Sequence, residues 1–186
     1  MRKDPFDECP VYETEHLRFT KVRLDDAEDL LACYSDPVTK GQMNNDNCSG
    51  DWQISTLDIM KQGIRAWELE FERRFFIRWS VYHKPTGRVI GTIEIAPVPN
   101  TTRFLDGTCE TGILRIDIIS HLAVEPLIAE ILQMTTDRFY ADFGIKNIII
   151  KATQADKERT LALDHSGFQR LPDGFIRYPD YYIRKA

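Results

Sequence analysis

The chain reads as a mixed α/β (α+β) fold: a mostly antiparallel central sheet with one parallel βαβ crossover and flanking helices. Three observations lead there. Alternating apolar residues run through FFIRWSVYHKPTGRVIGTIEIAP (75–97) and are interrupted only by Lys84-Pro85-Thr86-Gly87, a turn with proline at its second position. The segment 126–143 carries a wide helical stripe of Leu127, Ile128, Ile131, Leu132, Thr135, Phe139 and Phe143, closed by Gly144. On either side of it lie GILRIDII (112–119) and NIIIKA (147–152), two apolar runs. A strand, a helix and a second strand in that order make a right-handed parallel crossover.

The other elements follow along the chain. Residues 1–13 read as an irregular arm. HLRFTKV (16–22) sets Leu17, Phe19 and Lys21 against Arg18, Thr20 and Val22, a strand alternation. Asp25, with Glu28 three residues on, reads as the capping box of a helix whose face is Ala27, Leu30, Leu31 and Tyr34. The polar stretch 35–52 reads as a loop. A second helix is expected from Ser55 and Asp58 onward, with Leu57, Met60, Ile64, Trp67 and Phe71 on one face. After the hairpin, a polar connector with Asn100 and Gly107 leads to the strand over 113–119. Past the strand at 147–152, a helix over about 156–166 ends at Gly167, and GFQRL and DYYIRKA are two last strands.

A length of 186 residues suits one domain, 1–186, large enough to bury a real core. The net charge of −5 gives no reason to expect nucleic acid or an anionic membrane as partner. Cys9, Cys33, Cys48 and Cys109 lack Cys-x-x-Cys spacing and a histidine cluster, so no metal site is expected. Scattered thiols suit a reducing cytosol. No secretory leader opens the chain and no apolar run is long enough to span a bilayer, so a soluble, cytoplasmic protein is expected.

The order of elements, together with YETEHLRFTKVRLDDAEDLLACYSDP (12–37), TGRVIGTIEI (86–95) and FGIKNIIIKA followed by LALDHSGF (143–168), resembles the GNAT superfamily of acetyl-CoA-dependent N-acetyltransferases. Within it the chain is similar to the branch that acetylates ribosomal-protein N-termini. The resemblance covers about residues 11–185. It implies a strand that splays from its parallel neighbour and takes the pantetheine arm of acetyl-CoA, here at Ile118, Ile119 and Ser120. It also implies a pyrophosphate at the following helix start, here through the amides of Leu127 and Ile128. An amine acceptor then attacks the thioester directly, with no metal, and a homodimer is one arrangement the family adopts.

Two places depart from the family pattern. At the phosphate loop, Ala123, Pro126 and Ile128 stand where Arg or Gln, Gly, and Gly or Ala belong. Pro126 has no N–H to donate, and Glu125 sets a negative charge where a pyrophosphate would sit. The same residues suit a self-capped helix start, with a carboxylate at the positive end of the dipole. Both readings stand at this stage. In the helix near 156–166, Asp156, Arg159 and Leu163 replace the family's Asn, Ser or Ala, and Tyr. Asp156 is a candidate cap or acceptor of the cofactor's amides, and Arg159 a candidate phosphate partner. Leu163 has no proton to give.

Candidate acids and bases lie elsewhere. Glu94 and Asp117 each sit between isoleucines on central strands, so both should face away from the apolar side and toward an acceptor groove. With a raised pKa either is a candidate base, and Arg115 is a candidate same-face partner of Asp117. His121, Tyr178, Tyr181 and Tyr182 are weaker candidates, and the asparagines of MNNDNCSGDW (43–52) suit a polar acceptor or an ordinary loop.

Overall fold

The computed structural model describes residues 3–46, 53–98 and 111–186. Strands β1 (Tyr12–Glu13) and β2 (Leu17–Lys21) come first, then helices α1 (Ala27–Ser35), α2 (Pro37–Gln42) and α3 (Leu57–Glu72). Strands β3 (Ile77–His83), β4 (Arg88–Val98) and β5 (Thr111–Ile118) follow, then α4 (Glu125–Phe143), β6 (Asn147–Lys151), α5 (Lys157–His165), β7 (Gln169–Arg170) and β8 (Tyr181–Lys185). All the strands join one sheet in the order β1-β2-β3-β4-β5-β6-β8-β7. Among the described residues only β5 and β6 pair in parallel, on either side of the crossover helix α4.

That pairing is short. Thr111 to Leu114 lie opposite Asn147 to Ile150, and there the ladder ends. β5 continues to Ile118, paired only with β4. The β5 edge from Arg115 to Ile118 therefore faces no ladder partner on the β6 side among the described residues. On the other side, β4 carries a bulge. Val81 pairs with Gly91 and Tyr82 with Val89, so Ile90 is the extra residue. Gly91 has φ of +152°, and a Cβ there would lie 1.9 Å from the Asp117 carbonyl oxygen. Only glycine lets the two strands approach this closely.

Alternation divides the sheet into two faces. Ile77, Trp79 and Val81 of β3, Ile93 and Ile95 of β4, and Ile116 and Ile118 of β5 are buried in one apolar cluster with Ile128, Ile131, Leu132 and Phe139 of α4. Phe139 stacks on Trp79 with ring centroids 5.4 Å apart. Burying one such side chain contributes about 2 kcal/mol. Gly144 ends α4 in the left-handed region at φ of +63°, as the sequence predicts. The opposite face packs against α1 and α3 through Leu30, Met60 and Ile64. It also carries Arg78, Ser80, Thr92, Glu94 and Asp117, all buried.

Several local expectations change. The arm is shorter than residues 1–13, because Tyr12 and Glu13 form β1 against β2, and it is tied down: Trp79 Nε1 donates to the Pro10 carbonyl at 2.8 Å, Phe6 packs on Phe71 and Phe143, and Arg74 pairs with Asp4 and Asp7. Asp25 is not the first cap. A 3-10 turn (Leu24–Asp26) precedes α1, and Asp26 accepts the Arg23 N–H at 2.9 Å instead. Part of the polar stretch read as loop is α2, because Asp36 caps the N–H groups of Val38 and Thr39 and Pro37 takes the first helical position. Thr56, rather than Ser55 or Asp58, caps α3. Phe75 lies outside β3 and is exposed. Asn100, Gly107, Cys48 and Cys109 lie outside the described residues. No helix is long and apolar enough to cross a membrane, and no cluster of metal-ligating side chains occurs among the described residues.

Candidate functional site

A cleft of about 400 Å³ opens on the polar face of the sheet, between β3, β4 and β5 beneath and α1, α3 and the segment after α2 above. Arg78, Glu94, Arg115 and Asp117 form its floor, with Tyr34, Trp67 and Phe76 on its walls and Met43, Asn44 and Asn45 at one side. Strand alternation sets this arrangement. The residues whose neighbours bury themselves under α4 must themselves point into the cleft.

The floor is a connected network. Arg78 donates through Nε to Glu94 Oε2 at 3.0 Å, and a second guanidinium nitrogen also bonds Glu94. Arg115 donates to the other oxygen, Glu94 Oε1, at 2.6 Å. Glu94 is only 1% exposed. Burial pushes its carboxyl up, but the charges and hydrogen bonds of Arg78 and Arg115 outweigh that and hold it below its ordinary range. Both of its oxygens are occupied by cations, so Glu94 is an ionised anchor for two arginines.

Asp117 has a different environment. Its Oδ2 accepts from the Tyr34 hydroxyl at 3.0 Å and lies 3.7 Å from Arg78. Its Oδ1 is buried and has no hydrogen-bond partner among the described residues. A desolvated carboxylate oxygen without a donor is costly, so a donor from a ligand would be well received there. Arg115 is not the partner of Asp117. It binds Glu94, and its other nitrogen donates to the Asp46 carbonyl at 2.9 Å. Arg78 and Tyr34, which complete the network, were not singled out from the sequence. The signal was there, since Arg78 and Ser80 alternate with Ile77, Trp79 and Val81. Tyr34 stood on the face of α1 read as apolar.

The segment after α2 lies across the point where β5 and β6 part. Lys151 Nζ, one residue past the last β5–β6 pair, binds both carboxylate oxygens of Asp46 at 2.9 Å. Asn44 donates to the Tyr181 hydroxyl at 2.9 Å. This segment is thereby held over one side of the cleft. Tyr182 is buried on the sheet, Tyr178 packs against the cluster of Ile113, Ile149, Ile176 and Tyr181, and His121 is exposed in a 3-10 turn after β5.

At the end of β5, the backbone groups named from the sequence have partners within the chain. The Ile118 carbonyl accepts from Thr39 Oγ1 at 3.1 Å, the Ile119 N–H donates to the Ile90 carbonyl at 2.9 Å, and the Ser120 N–H donates to Asp36 at 3.3 Å. Ser120 Oγ reinforces the last contact at 2.6 Å.

The start of α4 is occupied as well. The Glu125 N–H donates to Glu158 Oε2 of α5 at 2.7 Å, and Glu125 Oε1 lies 3.2 Å from His165 Nδ1. Pro126 has no N–H, and the Ile128 N–H is bonded to the Val124 carbonyl at 3.0 Å. Among the described residues this leaves the Leu127 amide for an outside acceptor. Asp156 caps α5 through the Arg159 N–H at 3.1 Å and pairs with the Arg159 guanidinium at 3.0 Å, both side chains buried. The donors at this helix start do not fit a diphosphate: two carboxylates stand where its charge would lie, and most of the amides are taken.

Sheet order, the parallel β5–β6 pair and the crossover helix between them are those of the GNAT fold. Among solved structures, ribosomal-protein-S5-alanine acetyltransferase from Vibrio fischeri superposes with a TM-score of 0.69 at 13% identity, over 95% of this chain and 96% of that one. The RimL ribosomal L7/L12 alpha-N-protein acetyltransferase, in complex with coenzyme A, gives 0.72 at 10% identity over 95% and 98%. Mycobacterium smegmatis RimJ, in complex with CoA-disulfide, gives 0.71 at 13% identity over 91% and 82%. No family sequence profile and no curated protein matches the chain by sequence, so the likeness is one of fold.

Proposed function

We propose that the chain is an N-acyltransferase for a primary amine, with an acyl thioester, acetyl-CoA in the first instance, as donor. The observation that carries the reading is the unpartnered Asp117 Oδ1 on the floor of the cleft, on the strand whose outer edge is left open by β6. An incoming ammonium donates to Asp117 Oδ1, which takes one proton. The neutral amine then attacks the thioester carbonyl, the new C–N bond forms, the C–S bond breaks, and the leaving thiolate takes the surplus proton from the nitrogen and departs as the thiol. Glu94 is a positioning residue in this reading. It holds Arg78 and Arg115, and Arg78 in turn lies against Asp117 and the Tyr34 hydroxyl. Asp156 and Arg159 brace the start of α5.

The test is release of thiol from acetyl-CoA in the presence of peptides with free N-termini and of small amines. Asp117→Asn should lower the rate by about 100-fold or more while the melting temperature stays within a few degrees. A variant with wild-type rates would remove Asp117 from the chemistry. A second reading, a GNAT-fold binding module without transferase activity, is favoured by the Glu158 contact at α4. Absence of thiol release with every acyl thioester, and of binding heat at millimolar donor, would select it.

A further inference from the structure

We propose that Glu158 determines donor specificity: its carboxylate serves as a built-in anion at the α4 start, so the chain recognises an acyl thioester without using a diphosphate. This rests on the acyltransferase reading for the donor's identity, although the seal itself does not. The N-terminus of a crossover helix beside a parallel strand pair is a ready anion site, because amides and dipole point there together. Here that site is filled from within. The Glu125 N–H to Glu158 bond, at 2.7 Å, has the length of a charge-assisted hydrogen bond. Two further features act in the same direction. Glu125 adds a second negative charge, partnered by His165, and Pro126 withholds an amide. Arg159, the nearby cation that would suit a phosphate, is buried in its pair with Asp156. The open β5 edge and the cleft are untouched by these contacts. A donor therefore gains little from its nucleotide half, and S-acetylpantetheine should serve nearly as well as acetyl-CoA.

Two measurements test this. In the first, the amides of Glu125 and Leu127 are followed by NMR during titration with inorganic pyrophosphate. Wild type should show no shift at millimolar concentrations. Glu158→Ala should bind at least about tenfold more tightly, with shifts at both amides, and Glu158→Gln should fall between, since it keeps an acceptor without the charge. Pyrophosphate shifts in wild type, or none in a folded Glu158→Ala, would overturn the seal. In the second, acetyl-CoA and S-acetylpantetheine are compared by calorimetry. Affinities within about threefold in wild type, with Glu158→Ala improving acetyl-CoA alone, support the inference. Acetyl-CoA binding more than about tenfold tighter in wild type overturns it. If neither thioester binds while pyrophosphate behaves as described, the seal stands and the acyltransferase reading falls.

Discussion

Replacing Arg78 by methionine isolates the electrostatics of the cleft floor. Arg78 donates to Glu94, to the Tyr34 hydroxyl at 2.5 Å and to Thr92 at 3.4 Å, and its guanidinium lies 4.1 Å from the Trp67 ring. Methionine keeps most of the buried aliphatic volume and removes the charge. Glu94 then retains Arg115 alone, in a site where it is 1% exposed. Breaking a buried ion pair from one side costs about 3–5 kcal/mol. For a chain of this size each kcal/mol lowers the melting point by about 2–4 °C, so a fall of about 6–20 °C is expected near pH 8. The pH dependence has a definite sign. In the wild type the Glu94 carboxyl is held below its unfolded value, so its stabilisation is present above that value and is lost as pH falls through the folded one. In the variant, burial with one cation fewer moves the folded value upward. Protonation then relieves the uncompensated charge, and the deficit should shrink as pH is lowered toward about 5. Thermal melts of both proteins across that range provide the assay. A deficit below about 1 kcal/mol near pH 8, or one that does not change with pH, would refute the account of Glu94 as an anion held by two cations.

Two further perturbations probe the elements around the cleft. Gly91→Ala places a methyl 1.9 Å from the Asp117 carbonyl oxygen at a φ of +152°, so strands β4 and β5 must separate. A loss of about 2–5 kcal/mol is expected in chemical denaturation, and a near-neutral result would deny that the bulge is needed. Lys151→Met removes the cation that binds Asp46, a pair whose side chains are 18% and 13% exposed. Global stability should fall by about 1 kcal/mol or less, while amide exchange at residues 43–46 should accelerate. Unchanged exchange there would mean that Asn44 and Arg115 alone hold the segment.

The parts legible beforehand were those governed by neighbours in the chain. The β3–β4 hairpin, the α4 stripe with its Gly144 cap and the apolar run of β6 each announce themselves over a few residues. So does the orientation of Glu94 and Asp117, because a strand turns alternate side chains to opposite faces. The Asp36-Pro37 start of α2 was also written locally, as a cap followed by proline, but the polar residues around it read as a loop. Tyr34 does lie on the apolar face of α1, buried with Ala27 and Leu30, but the part played by its hydroxyl was not legible, for a related reason. A tyrosine suits an apolar helix face by its ring, and only the approach of Arg78, Thr92 and Asp117 gives its hydroxyl a role.

By itself the sequence determined the order of the longer elements from β2 to β8, the face each long strand buries and the absence of glycine at the start of α4. These depend on backbone periodicity and on single-residue chemistry, which act over a turn or a strand. Tertiary structure decided which charges meet. It paired Arg115 with Glu94 and placed Arg78 beside Asp117, left Asp117 Oδ1 without a donor, and inserted β8 between β6 and β7. It also brought Glu158 onto the Glu125 N–H, 33 residues away along the chain. Such pairings are settled by distance and desolvation in the folded state, where separation along the chain counts for nothing, and no local pattern encodes them.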